Sequence, residues 1–222
     1  MATGTEKRTN RAHLAAGKKP TAGKKPTASK KAPAGKNVRA GKKPPAGKKP
    51  TAGKKLPAGK NVRARVTHEF PAVYDRDSRV LLLGSIPSPK SREVGFYYGH
   101  PQNRFWKVLA TVLGEKIPET IPQKKAMLKR HHIALWDVLE SCTIVGASDT
   151  SIEDAVPNKI AALVARSKVT RIFCTGATAH KLYQKYCAAD VGIDAVKLPS
   201  TSPANCAISL ERLVDAYRDI LV

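Results

Sequence analysis

Two short stretches hold residues whose types and spacing could do chemistry. The first, 84–104, contains Gly84, Ser85, Ile86, Pro87 and Ser88, then Phe96, Tyr97, Tyr98, His100, Asn103 and Arg104. The second is PSTSPAN at 199–205, with Ser200, Thr201, Ser202 and Asn205. In a chain that is 5% aromatic, the rings of Phe96, Tyr97, Tyr98 and His100 crowd one short loop and suit the faces of a flat ligand such as a nucleobase. The Asn103 carboxamide does not titrate and cannot serve as a strong base. It can accept a hydrogen bond from water and fix its position, or donate to a base. Asn103 also opens the segment FWKVLATVL, where Asn is a good helix cap, so a capping role stands beside the chemical one. His100 can bond a leaving base at its oxygen or N7, or serve structure alone. Ser85 and Ser88 suit a base edge, a phosphate or simply the turn. The hydroxyls of 200–202 precede a helical segment and suit phosphate contacts, with Asn205 just beyond them. Lys90, Arg92 and Arg104 either add contacts to a nucleic-acid backbone or remain solvated charges.

The flanking segments must position these side chains. Apolar runs at 80–83, 133–137, 171–174 and 195–198 read as buried strands, and helical periodicity covers 101–113, 122–130, 158–167, 177–186 and 207–221. Strands and helices alternate, which predicts an α/β fold: a three-layer αβα sandwich with a mainly parallel four-stranded sheet. Ligands of such sheets bind beyond the carboxyl ends of the strands. The first stretch follows the first strand and the second follows the last, so both belong at one sheet edge, bracketing a cleft. Asp137 ends the second strand, where it either orients a loop or lines the pocket; Trp136 before it reads as core.

Several classes are excluded. There is no GxxxxGK, GxGxxG or GxSxG motif, which argues against nucleoside-triphosphate, dinucleotide and α/β-hydrolase chemistry. The four cysteines form no CxxC pair and have no histidine at metal-ligand spacing, so no metal and no cofactor is expected. Free cysteines fit a reducing, intracellular compartment: the nucleus in a eukaryote, otherwise cytoplasm or nucleoid. No apolar run approaches membrane-spanning length, and no membrane partner is expected.

Charge divides the chain. Residues 1–65 carry 20 Lys and Arg against one acid, Glu6, whereas 66–222 carry 20 against 16. The first part is a repeat: AGKKP recurs from 16 to 50, and PAGKNVRA occurs at 33–40 and 57–64. With no aromatic residue and repeated Pro it cannot bury enough surface to offset chain entropy, so 1–65 is expected to be a disordered Lys/Ala/Pro/Gly tail. Such a tail binds nucleic acid non-specifically through counterion release. The expected folded domain is 66–222.

The motifs GSIPS, FYYGHPQNRFWKVL, ALWDV and LPSTSPAN, in that order, resemble the uracil-DNA glycosylase superfamily, and most closely its DNA-deoxyinosine (hypoxanthine-DNA) glycosylase branch. GHPQNRFWKV is also similar to the mismatch-specific uracil/thymine branch. The resemblance covers 70–221 and none of the tail. It implies a monofunctional glycosylase of base-excision repair, acting as a monomer on double-stranded DNA that carries deaminated bases, hypoxanthine first. A mismatch-specific uracil/thymine glycosylase, or an inactive glycosylase-like DNA-binding protein, is the alternative. Several branches place a water-positioning Asn or Asp two residues after the first glycine. Ile86 stands there in this chain, and the resemblance moves the catalytic amide to Asn103, assisted by His100. It assigns Ser85, Ile86, Pro87, Ser88, Phe96, Tyr97, Tyr98 and Asp137 to the base, and Ser200, Thr201, Ser202, Asn205 and Arg104 to the DNA. No lysine in these motifs is placed for Schiff-base chemistry, so no lyase step is expected.

Overall fold

The computed structural model of the chain describes residues 62–146 and 148–221. The tail at 1–61 lies outside them.

The four expected strands form one parallel sheet. Its members are β2 (Val80–Gly84), β3 (Ile133–Asp137), β6 (Arg171–Thr175) and β7 (Ala195–Leu198), in the order β3-β2-β6-β7. Every residue of β2 is buried, as a central strand covered on both faces requires. Its side chains alternate between two cores. Val80 and Leu82 pack with Phe105, Val108, Leu109, Met127, Leu128 and Tyr217, which come from α2 (Phe105–Leu113), α3 (Ile121–Arg130) and α7 (Leu210–Tyr217). Leu81 and Leu83 pack with Ile160, Leu163, Ala179 and Tyr183, from α4 (Ile160–Ala165) and α5 (Ala177–Tyr186). This is the expected αβα sandwich.

A second sheet was not legible. β1 (Arg63–Thr67), β4 (Leu139–Val145) and β5 (Glu153–Pro157) pair antiparallel in the order β1-β4-β5. Val66, Cys142 and Ile144 bring this sheet into the Leu81/Leu83 core. Strand β1 also corrects the domain boundary, because it begins at Arg63, inside the segment assigned to the tail. Only Val138 separates β3 from β4, so the chain passes almost directly from one sheet to the other. Two short helices were also missed: α1 (Pro89–Val94), inside the first loop, and α6 (Ala188–Val191). The helix expected at 101–113 starts only at Phe105, because 101–102 form a turn and 103–104 belong to no regular element.

Candidate active site

A cavity of about 1380 Å³ opens at the carboxyl ends of the parallel strands. Gly84 (β2), Asp137 (β3), Thr175 (β6) and Leu198 (β7) all contribute to its wall, and the two loops singled out above bracket it. Of the expected residues, Ser85, Ile86, Pro87, Ser88, Tyr97, Tyr98, His100, Asn103, Asp137, Ser200, Thr201, Ser202 and Asn205 line it. Phe96 and Arg104 do not.

Asn103 sits where α2 begins. Its Oδ1 accepts the Phe105 backbone N–H at 3.0 Å and the Thr201 hydroxyl at 2.9 Å. A backbone N–H can only donate, so the atom facing it is the oxygen, and the amide orientation is settled. The two ends of this side chain are therefore separate: one is committed to the fold and the other is open. The oxygen holds the helix start to the second loop. Nδ2 has no partner among the described residues, so Asn103 is available as a donor, and the water-accepting role expected of its oxygen is displaced.

The rings divide. Tyr98 has φ +51° and lies flat on Phe105, with ring centroids 3.7 Å apart. Its hydroxyl pairs with the Thr175 hydroxyl at 2.7 Å. Burial holds its phenol protonated, well above the usual tyrosine range. Tyr97 touches the cavity, but its ring packs among His68, Phe70 and Phe96 and its hydroxyl donates to the Pro71 carbonyl. Phe96 is only 3% exposed and stacks on Trp106. It is core rather than a base-stacking wall, because its neighbour Gly95 ends α1 and turns the chain inward there. His100 accepts the Gln102 backbone N–H on Nδ1, so its neutral ring carries the proton on Nε2 and presents a donor.

The serines and Thr201 are committed more locally than expected. Ser88 caps α1, its Oγ accepting the Ser91 N–H. Ser85 donates to Asp149 at 2.7 Å. Asp149 lines the same cavity, and burial raises its carboxyl above the ordinary range. Ile86 reaches the cavity but belongs to the core. Thr201 is 1% exposed and holds Asn103, so it is no phosphate contact. Ser202 caps the short turn Pro203–Asn205, and Ser200 accepts the Ser202 N–H. The Asn205 amide donates to the Ser200 carbonyl.

Arg104 is also corrected. Its guanidinium donates to the carbonyls of Asn205 and Ile208, bracing the second loop from behind. Arg104→Ala should therefore lower stability by about 2 kcal/mol, as loss of hydrogen bonds to a charged group does. It should leave unchanged the salt dependence of DNA binding, whereas a lost phosphate contact would reduce that slope by about 0.9. Denaturant titration and binding across a salt series separate the two.

Sequence reasoning missed His68, Asp149 and Thr175. Thr175 had a signal, since it ends a strand at the same sheet edge as Gly84. His68 and Asp149 act through partners 69 and 64 residues away, and nothing local marks them.

A sequence model of the uracil DNA glycosylase superfamily matches residues 71–221. The chain is similar to the hypoxanthine DNA glycosylase of Methanosarcina acetivorans, with 33% identity over 144 residues, 64% of this chain and 90% of that one. It is also similar to the hypoxanthine DNA glycosylase of Methanosarcina barkeri, with 39% identity over 95 residues, 42% of this chain and 60% of that one. A solution NMR structure of a candidate uracil DNA glycosylase from Methanosarcina acetivorans superposes with a TM-score of 0.60 at 31% identity, covering 69% of this chain and 98% of the other. With the family model spanning both motif loops and every parallel strand, the chain belongs to the uracil DNA glycosylase superfamily.

Proposed function

We propose that the protein is a monofunctional DNA glycosylase that releases hypoxanthine from deoxyinosine in double-stranded DNA and leaves an abasic site for base-excision repair. The observation that carries this reading is Asn103: its oxygen is pinned by Phe105 and Thr201 while its amide is left on a cavity walled by Tyr98 and Asp137. A base swung out of the duplex needs a wall for its face and groups for its edge, and such a cavity offers both. Water adds to the anomeric carbon as the base departs with the bonding electron pair, and the proton that the water loses ends on the released base. The Asn103 amide and the His100 Nε2–H are donors for the negative charge that grows on the departing base. Asp149, joined to Ser85, brings a carboxylate to the first motif, where Ile86 has none, and suits the cationic sugar. Hypoxanthine comes first because the similar Methanosarcina proteins bear that name.

The tail at 1–61 adds sequence-independent affinity for nucleic acid, and the enzyme works as an intracellular monomer. Among the described residues, no helix is long and apolar enough to cross a membrane. The deciding assay incubates the full chain with duplexes carrying deoxyinosine, uracil or mismatched thymine and cleaves abasic sites with alkali. Strand breaks with deoxyinosine are expected. Breaks with uracil alone would move the protein to another branch, and breaks with none would end the enzyme reading.

A further inference from the structure

Asp137 is a buried carboxyl in the cavity wall, and its partner lies outside the span of the family match. Its side chain is 7% exposed, that of His68 is 3%, and His68 Nε2 stands 2.9 Å from Asp137 Oδ2. An ionised carboxylate only accepts, so in that state Nε2 carries the shared proton. The other oxygen, Oδ1, makes no hydrogen bond with the described residues and lies over Gly84, on a residue that lines the cavity. The Asn158 amide grips the Asp137 backbone carbonyl at 3.0 Å, and the His68 N–H bonds the Glu140 carbonyl at 2.7 Å, extending the β1–β4 ladder. His68 thus holds the carboxylate and Asn158 its backbone, both from the ends of strands in the antiparallel sheet, and one carboxylate oxygen is left without a partner among the described residues.

Deamination changes a base in one consistent way. Adenine N1 and cytosine N3 are acceptors; in hypoxanthine and uracil the same ring positions carry N–H donors beside a carbonyl. An acceptor-only oxygen in the cavity wall takes that N–H and repels the parent base's lone pair. We propose that His68 and Asp137 are the pair by which this enzyme distinguishes a deaminated base from its parent, with Asp137 Oδ1 accepting the lactam N–H and His68 holding the carboxylate in its acceptor state. Resting on the glycosylase reading, this proposal explains how the site refuses adenine and cytosine, the parents of hypoxanthine and uracil, whose ring nitrogen at that position offers only a lone pair. His68 acts through Asp137 and is a positioning residue.

The charges around the pair give the proposal a pH signature. Burial is the larger influence and raises the Asp137 carboxyl above the ordinary carboxylate range, and His68 opposes it. From the other elements, Tyr97 and Tyr98 face Asp137 after α1, and Asp149 faces it from the segment between β4 and β5. The phenols are held neutral by burial, and Asp149 adds like charge, so His68 is the group that favours ionisation. Activity is lost as pH falls through the Asp137 transition. Without His68 that transition moves to higher pH.

The test measures single-turnover release of hypoxanthine by the full chain from pH 5 to 9. In His68→Ala the acid limb should move up by about one unit or more, each unit costing tenfold on the limb. His68→Gln, which keeps a donor, should return the limb toward that of the unsubstituted enzyme. A second measurement does not depend on turnover: calorimetric binding of free hypoxanthine and free adenine. The unsubstituted protein should prefer hypoxanthine by about tenfold or more, because mismatched buried polar groups discriminate strongly. Asp137→Asn, able to present a donor or an acceptor, should lose most of that preference. An unmoved acid limb in His68→Ala, or an intact preference in Asp137→Asn, overturns the proposal while release from deoxyinosine stands. No release by the unsubstituted chain overturns the underlying reading as well.

Discussion

Replacing Asn103 with alanine should slow hypoxanthine release by about 10²–10³-fold, the usual cost of deleting one positioned donor where negative charge develops. The same change removes the acceptor for the Phe105 N–H and the Thr201 hydroxyl, and should lower stability by about 1 kcal/mol, as loss of a hydrogen bond does. Asn103→Asp separates the two effects. It keeps an oxygen for Phe105 and Thr201 but carries no N–H, so it should unfold at a denaturant concentration close to that of the unsubstituted chain and still lose the rate. Single-turnover kinetics beside denaturant unfolding make the comparison. A nearly unchanged rate in Asn103→Asp would mean that the residue only holds the helix.

The second large effect comes from one methyl group. A Cβ built on Gly84 would lie 2.2 Å from Asp137 Oδ1 and 3.3 Å from the Tyr98 hydroxyl. The carboxylate has little room to retreat. Its other oxygen is bonded to His68, and its backbone is paired directly opposite Gly84 in the β2–β3 register. Gly84→Ala should therefore destabilise the fold by about 1–3 kcal/mol, the range for overpacking a filled interior. The activity loss should exceed that penalty, at about 10²-fold, because a shift near 1 Å in a positioning group costs that much. The rate is read at a temperature where the variant is fully folded. A rate matching that of the unsubstituted enzyme would show that the Asp137 carboxylate can move without consequence.

The parallel sheet was legible because three of its strands are largely buried and read as apolar runs, VLLL, IALWD and RIFC, beside the half-exposed AVKL of β7. β4 and β5 give no such signal. LESCTIV mixes charge, hydroxyls and aliphatics, its pairing with β5 carries register shifts on either side of Ser141, and EDAVP opens on two acids. β1 was hidden by its composition, since RARVT continues the basic character of the tail. In the site, position along the chain was enough for Asn103, Tyr98, His100, Asp137 and the 200–205 loop, because each follows a strand at its carboxyl end. The division of labour within Asn103 was not legible, nor was the recruitment of Thr201 and Arg104 to brace the loops. Those roles depend on contacts across roughly a hundred residues, and only the assembled sheet brings them together.

The first strand has a practical meaning for dissecting the molecule. The composition break suggests cutting after residue 65, and the superfamily match begins at residue 71. A chain begun after residue 65 lacks most of β1, and one begun at 71 lacks both β1 and His68. Either cut leaves one side of β4 open. A shortened enzyme that fails would then report a damaged edge and a carboxylate without its partner, and would be misread as proof that the cationic repeats are needed for turnover. Removing the cationic repeats while keeping the catalytic body requires a cut before Val62, so that the last residues of the second PAGKNVRA copy stay with the fold they complete.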